Sequence, residues 1–82
     1  MLMTTEQDGT DAASQPPVII DVTDGVATLT LNNPRRKNAI TLGMAALIDD
    51  FCDRVERDMR IGVAVVRSNG AYFCSGADTR DL

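Results

Sequence analysis

The protein has 82 residues, of which 44% are apolar and 24% charged, and its net charge is −4. This length allows one small domain at most, and such a domain buries only about 60% of the surface that its unfolded chain exposes. The composition is that of a globular protein and argues against two classes of partner. The acidic balance disfavours nucleic acid, and no apolar run of about 18 residues is present to span a membrane.

The chain is expected to begin with a disordered tail, residues 1–16, followed by one domain over residues 17–82. The tail is polar, has no apolar period, and ends at Pro16 and Pro17. It lacks the pattern of a secretory signal and the arginines of a mitochondrial presequence, so the sequence predicts a cytoplasmic protein. Cys52 and Cys74 are then two free thiols, and without histidine no metal site is expected.

A β-hairpin is predicted at the start of the domain. Its strands are Val18–Thr23 and Val26–Leu31, and Asp24-Gly25 between them is typical of a type I′ turn, which needs positive φ at both positions. The alternation of apolar and polar residues indicates which side chains share the inner face. Val18, Ile20 and Val22 should share one face of the first strand. In the second strand Ala27, Leu29 and Leu31 should point inward, whereas Thr28 and Thr30 should point outward.

An amphipathic helix is predicted next, with Thr41 as its N-cap. Apolar residues recur at intervals of three and four and form a stripe that should face the core. The members of this stripe are Met44, Leu47, Ile48, Phe51, Cys52, Val55 and Met59. The opposite face is charged and contains three pairs in which an acidic residue precedes a basic residue by four positions. Each such pair stabilises a helix by about 0.2–0.5 kcal/mol. These pairs are Asp50 with Arg54, Asp53 with Arg57, and Glu56 with Arg60.

A short β-rich run, Gly62–Arg67, is predicted to be a buried strand. The helix would then be the crossover between the second and third strands, which makes these two strands parallel. The resulting fold class is α/β with the element order ββαβ. Because the third strand would lack its next neighbour, one apolar edge of the sheet is expected to be unpaired.

Two loops follow the carboxyl ends of the parallel strands, where ligands gather in open α/β sheets. The first, residues 32–40, contains Arg35-Arg36-Lys37, the only cluster of positive charge in the chain. A basic run of this length is most often a solvated loop. The second loop, residues 68–78, follows the next strand, so both loops should meet at one edge of the sheet.

The second loop has the composition of a binding turn. Residues 74–77 are all small, and Gly76 can adopt positive φ. Asp78 and Thr79 are good N-cap residues, so a helix should begin there and continue past Leu82. Free N–H groups at such a turn stabilise an anionic oxygen. The alternative is a tight strand-to-helix connection without chemistry.

These motifs, in this order and spacing, resemble the N-terminal part of the crotonase (enoyl-CoA hydratase/isomerase) family. The residues that carry the resemblance are Leu29–Pro34, Asn38–Ile40, the amphipathic helix and Phe73–Asp78, and the similarity extends from about Val18 to Leu82. It implies a crotonase-like spiral of ββα turns, of which this chain would be a truncated ββαβ piece. It also implies a coenzyme A thioester as the substrate, with no separate cofactor.

The resemblance assigns roles to both loops. Arg35 and Arg36 would bind phosphates of CoA, and the backbone from Lys37 to Ala39 would contact the edge of the adenine. The thioester carbonyl would lie in an oxyanion hole, one of whose two donors is the backbone N–H of Ala77. The other residues that the resemblance places in the pocket are Ser75, Gly76, Asp78 and Thr79.

Members of this family catalyse hydration, isomerisation, thioester hydrolysis and dehalogenation, and each reaction places negative charge on the thioester oxygen. The resemblance therefore implies an acyl-CoA lyase or isomerase of fatty-acid or related metabolism, assembled as a homotrimer or a dimer of trimers if complete. The family's second oxyanion donor and its glutamate acid/bases lie further along, so this chain is expected to be an incomplete fragment, almost inert by itself. Two alternatives are a non-catalytic CoA-binding module and an interaction remnant that folds only with full-length relatives.

Overall fold

The computed structural model describes residues 15–81. It contains two strands, a helix and a third strand: β1 (Val18–Thr23), β2 (Val26–Leu31), α1 (Leu42–Arg57) and β3 (Val63–Ser68). The predicted ββαβ order is therefore confirmed, whereas the predicted tail lies outside the described residues up to position 14. Within the described part, no helix has the length and apolar character needed to cross a membrane.

The three strands form one mixed sheet in the order β1-β2-β3. β1 and β2 are antiparallel and β2 and β3 are parallel, as the hairpin and crossover predictions require. In the hairpin turn, φ is 53° at Asp24 and 78° at Gly25, so both positions have the positive φ of a type I′ turn. The amide of Gly62 donates to the carbonyl of Gly25 at 2.8 Å, which ties the start of β3 to this turn.

The hydrophobic core lies between the inner face of the sheet and α1. Its buried members are Val18, Ala27, Leu29, Leu31, Met44 and Phe51. This set confirms the inward positions predicted for β2. Thr30, predicted to point outward, is only 5% exposed. It is shielded because β2 is the central strand and the Arg67 guanidinium on β3 donates to its hydroxyl at 3.4 Å.

The helix begins as predicted, because the Thr41 hydroxyl accepts a hydrogen bond from the Met44 amide at 3.1 Å. Its stripe is narrower than predicted. Met44 and Phe51 are buried and Ile48 and Val55 are packed against the core, but the rest of the stripe is exposed. The exposed members are Leu47, Cys52 and Met59. Cys52 is therefore not a core residue, because the two strands that α1 covers contact only the centre of the stripe.

The charged pairs predicted along the helix do not form ion pairs in the described structure. No acid and base of these pairs lie within 4.0 Å of each other among residues 15–81. The helix ends at Arg57, so Glu56 and Arg60 are not on one helical face. Arg60 instead binds Asp58, with its Nε 3.0 Å from the carboxylate.

β3 is exposed along most of its length, so the prediction of a buried strand is wrong. It is an edge strand, and α1 packs against β1 and β2. Val63, Val65 and Val66 are exposed, which agrees with the predicted unpaired apolar edge within the described residues. The helix predicted from Asp78 is a single 3₁₀ turn, Thr79–Asp81, as far as the described residues extend.

Candidate functional site

The two loops that follow β2 and β3 lie side by side and are joined by backbone hydrogen bonds. The Ser75 amide donates to the Lys37 carbonyl at 3.1 Å. The Ile40 amide donates to the Gly76 carbonyl at 2.8 Å, and the Asp78 amide donates to the Ile40 carbonyl at 2.8 Å. These contacts extend the parallel pairing of the sheet beyond its strands and bring the basic run beside the small-residue turn.

The backbone N–H of Ala77 is left free by this pairing. Ile40 bonds the residues on either side of Ala77, and in a parallel ladder the N–H and C=O of the intervening residue then point away from the partner strand. Within residues 15–81 the Ala77 N–H has no acceptor. A fixed, unpaired donor is the group that an oxyanion hole requires.

Gly76 gives the backbone the conformation that exposes this donor. Its φ is +111°, a value that side-chain-bearing residues rarely adopt. A Cβ built on Gly76 would have no atom within 4 Å. Glycine is therefore required here by the backbone angle, and the space in front of the turn is open.

Asn38 connects the two loops from the inside. It is fully buried, with its backbone in the left-handed region at φ 56°. Its Oδ1 accepts from the Asn33 amide at 2.7 Å, and its Nδ2 donates to the carbonyls of Asn69 and Tyr72 at 2.8 and 2.9 Å. In the sequence, Asn38 belongs to a motif, and no role is predicted for its side chain. An asparagine next to a basic residue in a loop does not by itself indicate a structural role, because only the fold shows which groups its amide binds.

A pocket of about 340 Å³ opens between the loops. Its volume lies in the range of about 300–1,000 Å³ found for small-molecule sites. Its walls contain all the residues proposed from sequence except Gly76, which lies between two of them. The lining residues are Arg35, Arg36, Lys37, Ala39, Ser75, Ala77, Asp78 and Thr79.

Asp78 is a buried carboxylate held by two arginines. It is 2% exposed, the Arg80 Nε lies 3.0 and 3.1 Å from its two oxygens, and the Arg36 Nη2 lies 3.6 Å away. Hydrogen bonds from the side chain and then the backbone of Arg80 hold the pKa of Asp78 far below its ordinary value of 3.8, against the opposing effect of burial. Asp78 is therefore ionised at neutral pH and has no proton to donate to a substrate.

The cations of the first loop differ in their surroundings. The Lys37 ammonium lies 5.1 Å from the centroid of the Tyr72 ring, which is a cation–π distance. Arg36 is shared between the pocket and Asp78. Arg35 has no ion-pair partner among the described residues. In this loop Arg36 is paired with Asp78, whereas the positive charges of Arg35 and Lys37 can interact with a ligand in the pocket.

Comparison with known proteins identifies the family. The sequence model of the enoyl-CoA hydratase/isomerase family matches residues 26–82. A probable enoyl-CoA hydratase of Mycobacterium tuberculosis is 39% identical over 70 residues, which are 85% of this chain and 27% of that protein. The 1,2-epoxyphenylacetyl-CoA isomerase of Escherichia coli is 38% identical over 64 residues, 78% of this chain and 24% of that protein.

The comparison of folds identifies the same family. The crystal structure of an enoyl-CoA hydratase from Mycobacterium smegmatis superimposes with a TM-score of 0.77 and 31% sequence identity. The match covers 83% of this chain and 31% of that one. The chain thus spans 24% to 31% of the length of these relatives, and its ββαβ unit is a piece of the crotonase fold. By sequence and by fold, the chain belongs to the enoyl-CoA hydratase/isomerase family.

Proposed function

We propose that this chain forms the CoA-binding and oxyanion-stabilising part of an acyl-CoA hydratase or isomerase. The observation that carries the proposal is the free N–H of Ala77 in a pocket walled by cations. The donor is fixed by backbone pairing on both sides, so it needs no reorganisation when charge develops on a thioester oxygen. Coenzyme A enters as part of the substrate, and we place the protein in cytoplasmic acyl-CoA metabolism.

The proposed chemistry stabilises negative charge on a thioester oxygen, and the reactions named for the relatives share this requirement. These relatives include a hydratase, an isomerase and a 3-hydroxyisobutyryl-CoA hydrolase. Each reaction makes the thioester oxygen more negative, as an enolate or as a tetrahedral anion. One N–H donor aimed at that oxygen contributes about 10²–10³ in kcat. We propose that the proton-transferring groups come from outside the described residues, since Asp78 is held ionised.

The nucleotide end of the substrate is proposed to lie on the first loop. The amides of Lys37, Asn38 and Ala39 are all engaged within the loop, with acceptors at Pro34, Asn33 and Arg36 respectively. The carbonyls of Asn38 and Ala39 accept no hydrogen bond from residues 15–81. This segment therefore recognises a donor, and the amino group of adenine is the donor on the edge of that base. Arg35 and Arg36 would hold phosphates.

A spectroscopic experiment tests this proposal directly on the 82-residue chain. Butyryl-CoA labelled with carbon-13 at the thioester carbonyl is bound to the protein, and its infrared carbonyl stretch is compared with that of the free thioester. We expect a shift to lower frequency, because a hydrogen bond from Ala77 weakens the C=O bond. A bound thioester with an unshifted carbonyl stretch would contradict the oxyanion role and leave only a binding role.

One observation favours a second candidate, a CoA-binding module without catalysis. Asp78, the carboxylate among the pocket's lining residues, is buried and held ionised beneath two arginines, so it cannot serve as a general acid there. Such a module would bind butyryl-CoA with the same affinity as its non-hydrolysable thioether analogue. Turnover of an enoyl-CoA by the purified chain, followed at the absorbance of the conjugated thioester, would exclude it.

A further inference from the structure

The side chain of Asn38 spans the space between the two loops and holds the second loop near its start. Its Nδ2 donates to the carbonyls of Asn69 and Tyr72 at 2.8 and 2.9 Å, so both hydrogens of the amide are used. Its Oδ1 accepts from the Asn33 amide at 2.7 Å. Because Asn38 is fully buried, water does not compete for these contacts, and losing one of them leaves a buried polar group unpaired.

The backbone of Asn38 is connected to the turn that carries Ala77. The Asn38 N–H and the Lys37 carbonyl belong to one planar peptide group. The N–H donates to the Asn33 carbonyl at 2.9 Å, and the Lys37 carbonyl accepts from the Ser75 amide at 3.1 Å. A rigid unit therefore links the chain just past β2 to a residue two positions before Ala77.

The direction of the Ala77 N–H depends on such links, because this donor has no acceptor of its own among residues 15–81. Ile40 binds Gly76 and Asp78 on either side of it, and this pairing is kept only if the two loops stay at a fixed separation. The Asn38 amide sets that separation from the inside. Hydrogen bonds weaken steeply as their angle departs from linearity, so a small displacement of the second loop would misalign the donor.

Asparagine suits this position for two reasons. The backbone of Asn38 has a φ of 56°, in the left-handed region that asparagine and aspartate tolerate better than most residues. Its amide also combines an acceptor with two donors. Aspartate has the same shape and tolerates the same φ but has no donors when ionised. The Asn38→Asp substitution therefore removes the two bonds to the second loop and keeps an oxygen for the Asn33 amide.

We propose that Asn38 is a positioning residue for the oxyanion donor, because its amide fixes the second loop and thereby aims the Ala77 N–H at the thioester oxygen. The inference rests on the proposed function and adds to it a residue that is not among those lining the pocket. The Asn38 side chain is buried and acts only through the second loop. Replacing it should change the polarisation of a bound thioester that this side chain does not contact.

A matched control is available at the same junction. The Asn69 Nδ2 donates to the Asn32 Oδ1 at 2.9 Å and forms a second amide link between the two loops. Both residues are half-buried, and this link joins two side chains without holding the Tyr72 carbonyl. Asn69→Asp makes the same chemical change as Asn38→Asp and weakens the same junction. A general loosening of the loops would appear in both variants, whereas a positioning role would appear only in Asn38→Asp.

The experiment measures the infrared carbonyl stretch of carbon-13-labelled butyryl-CoA bound at saturating concentration to the full chain and to each variant. We expect Asn38→Asp to lose at least about half of the wild-type shift to lower frequency and to give a broader band, because the donor is misaligned. Asn69→Asp should retain the wild-type shift. A purely structural role would not move this readout, since a loss of stability lowers the amount of bound thioester but not its frequency.

A wild-type shift in folded Asn38→Asp would overturn this inference and leave the proposed function intact. Equal losses of the shift in the two variants would also overturn it, because the junction as a whole would then position the donor. An unshifted carbonyl in the wild type would contradict the proposed function itself. If circular dichroism shows that Asn38→Asp is unfolded with the ligand present, Asn38→Gly replaces it. Glycine adopts positive φ and leaves room for water at the freed carbonyls, so a reduced shift is again expected and a wild-type shift would count against the positioning role.

Discussion

The backbone N–H of Ala77 is the group on which the proposed chemistry depends, so its side chain should matter little. Ala77→Gly keeps the donor, and we expect it to retain the infrared shift of the bound thioester. Ala77→Pro deletes the donor and should abolish the shift, corresponding to a loss of about 10²–10³ in kcat wherever the chain supports turnover. The affinity for CoA lacking an acyl group is the control and should be similar in both variants. Equal shifts in the glycine and proline variants would move the donor away from Ala77.

The amide of Asn38 holds the two loops in register, and its nitrogen faces two carbonyl oxygens. In Asn38→Asp an acceptor replaces this donor, so a buried carboxylate would repel the carbonyls of Asn69 and Tyr72. We expect a loss of about 3 kcal/mol or more in the free energy of unfolding, measured by urea denaturation. Asn32→Asp makes the same chemical change at a half-buried position and should cost much less. Similar losses in both variants would show that the link made by Asn38 is unimportant.

The ion pairs of Asp78 and Asp58 predict how stability depends on pH. The pKa of each carboxyl is lowered in the folded protein, that of Asp58 to about 2 by hydrogen bonds from Arg60, so folding favours the ionised form. Their contribution is complete above the unfolded pKa near 3.8 and is lost as the pH falls through the folded values. Denaturation at several pH values should show that Asp78→Asn lowers stability near pH 6 and that the difference from the wild type narrows below about pH 3. A difference that is independent of pH would contradict the ion-pair account.

At the scale of elements, replacing glycine by alanine should have opposite effects on stability in the hairpin turn and in the helix. Gly25 has a φ of 78° in the hairpin turn, and an added Cβ would lie 3.2 Å from the Arg60 carbonyl oxygen. Gly43 lies in the first turn of α1, where an added Cβ meets only the Thr41 hydroxyl at 3.9 Å. We expect Gly25→Ala to destabilise the protein by about 1–2 kcal/mol and Gly43→Ala to stabilise it by up to about 1 kcal/mol, in urea denaturation. Destabilisation by both substitutions would show that the helix start tolerates no added methyl group.

For the whole molecule, the exposed face of β3 sets an upper limit on stability. The valines of β3 bury little apolar surface, and a small domain buries a smaller fraction of its surface than a large one. We expect a free energy of unfolding below about 5 kcal/mol for the isolated chain, with a thermal midpoint that rises when CoA is added. Thermal denaturation followed by circular dichroism measures both. A high midpoint that does not respond to CoA would contradict the expected marginal stability and the proposed ligand together.

The sequence by itself determined the hairpin, the helix α1, the third strand and the family. Asp24-Gly25 defines the hairpin because few residues other than glycine, asparagine and aspartate adopt positive φ readily. Thr41 marks the helix start because its hydroxyl satisfies an otherwise unpaired amide. The parallel pairing of β2 and β3 follows from the crossover connection. The hairpin turn and the helix start depend on residues close together in the chain, so local patterns are enough to predict them. The strand pairing is long-range, but a helical crossover between the two strands leaves the parallel direction as the expected one.

The tertiary structure alone decided which of these residues are buried and what the loops contact. Cys52 is exposed although it lies in an apolar stripe, because burial depends on which strands lie opposite it. The reach of Asn38 to Tyr72 and the pairing of Ile40 that frees the Ala77 N–H join residues more than thirty positions apart. In the sequence Asp78 is interpreted as a helix cap, and only the fold shows that its carboxylate also pairs with Arg36 of the first loop. Contacts at such separations are set by packing, so periodicity and turn chemistry carry no record of them.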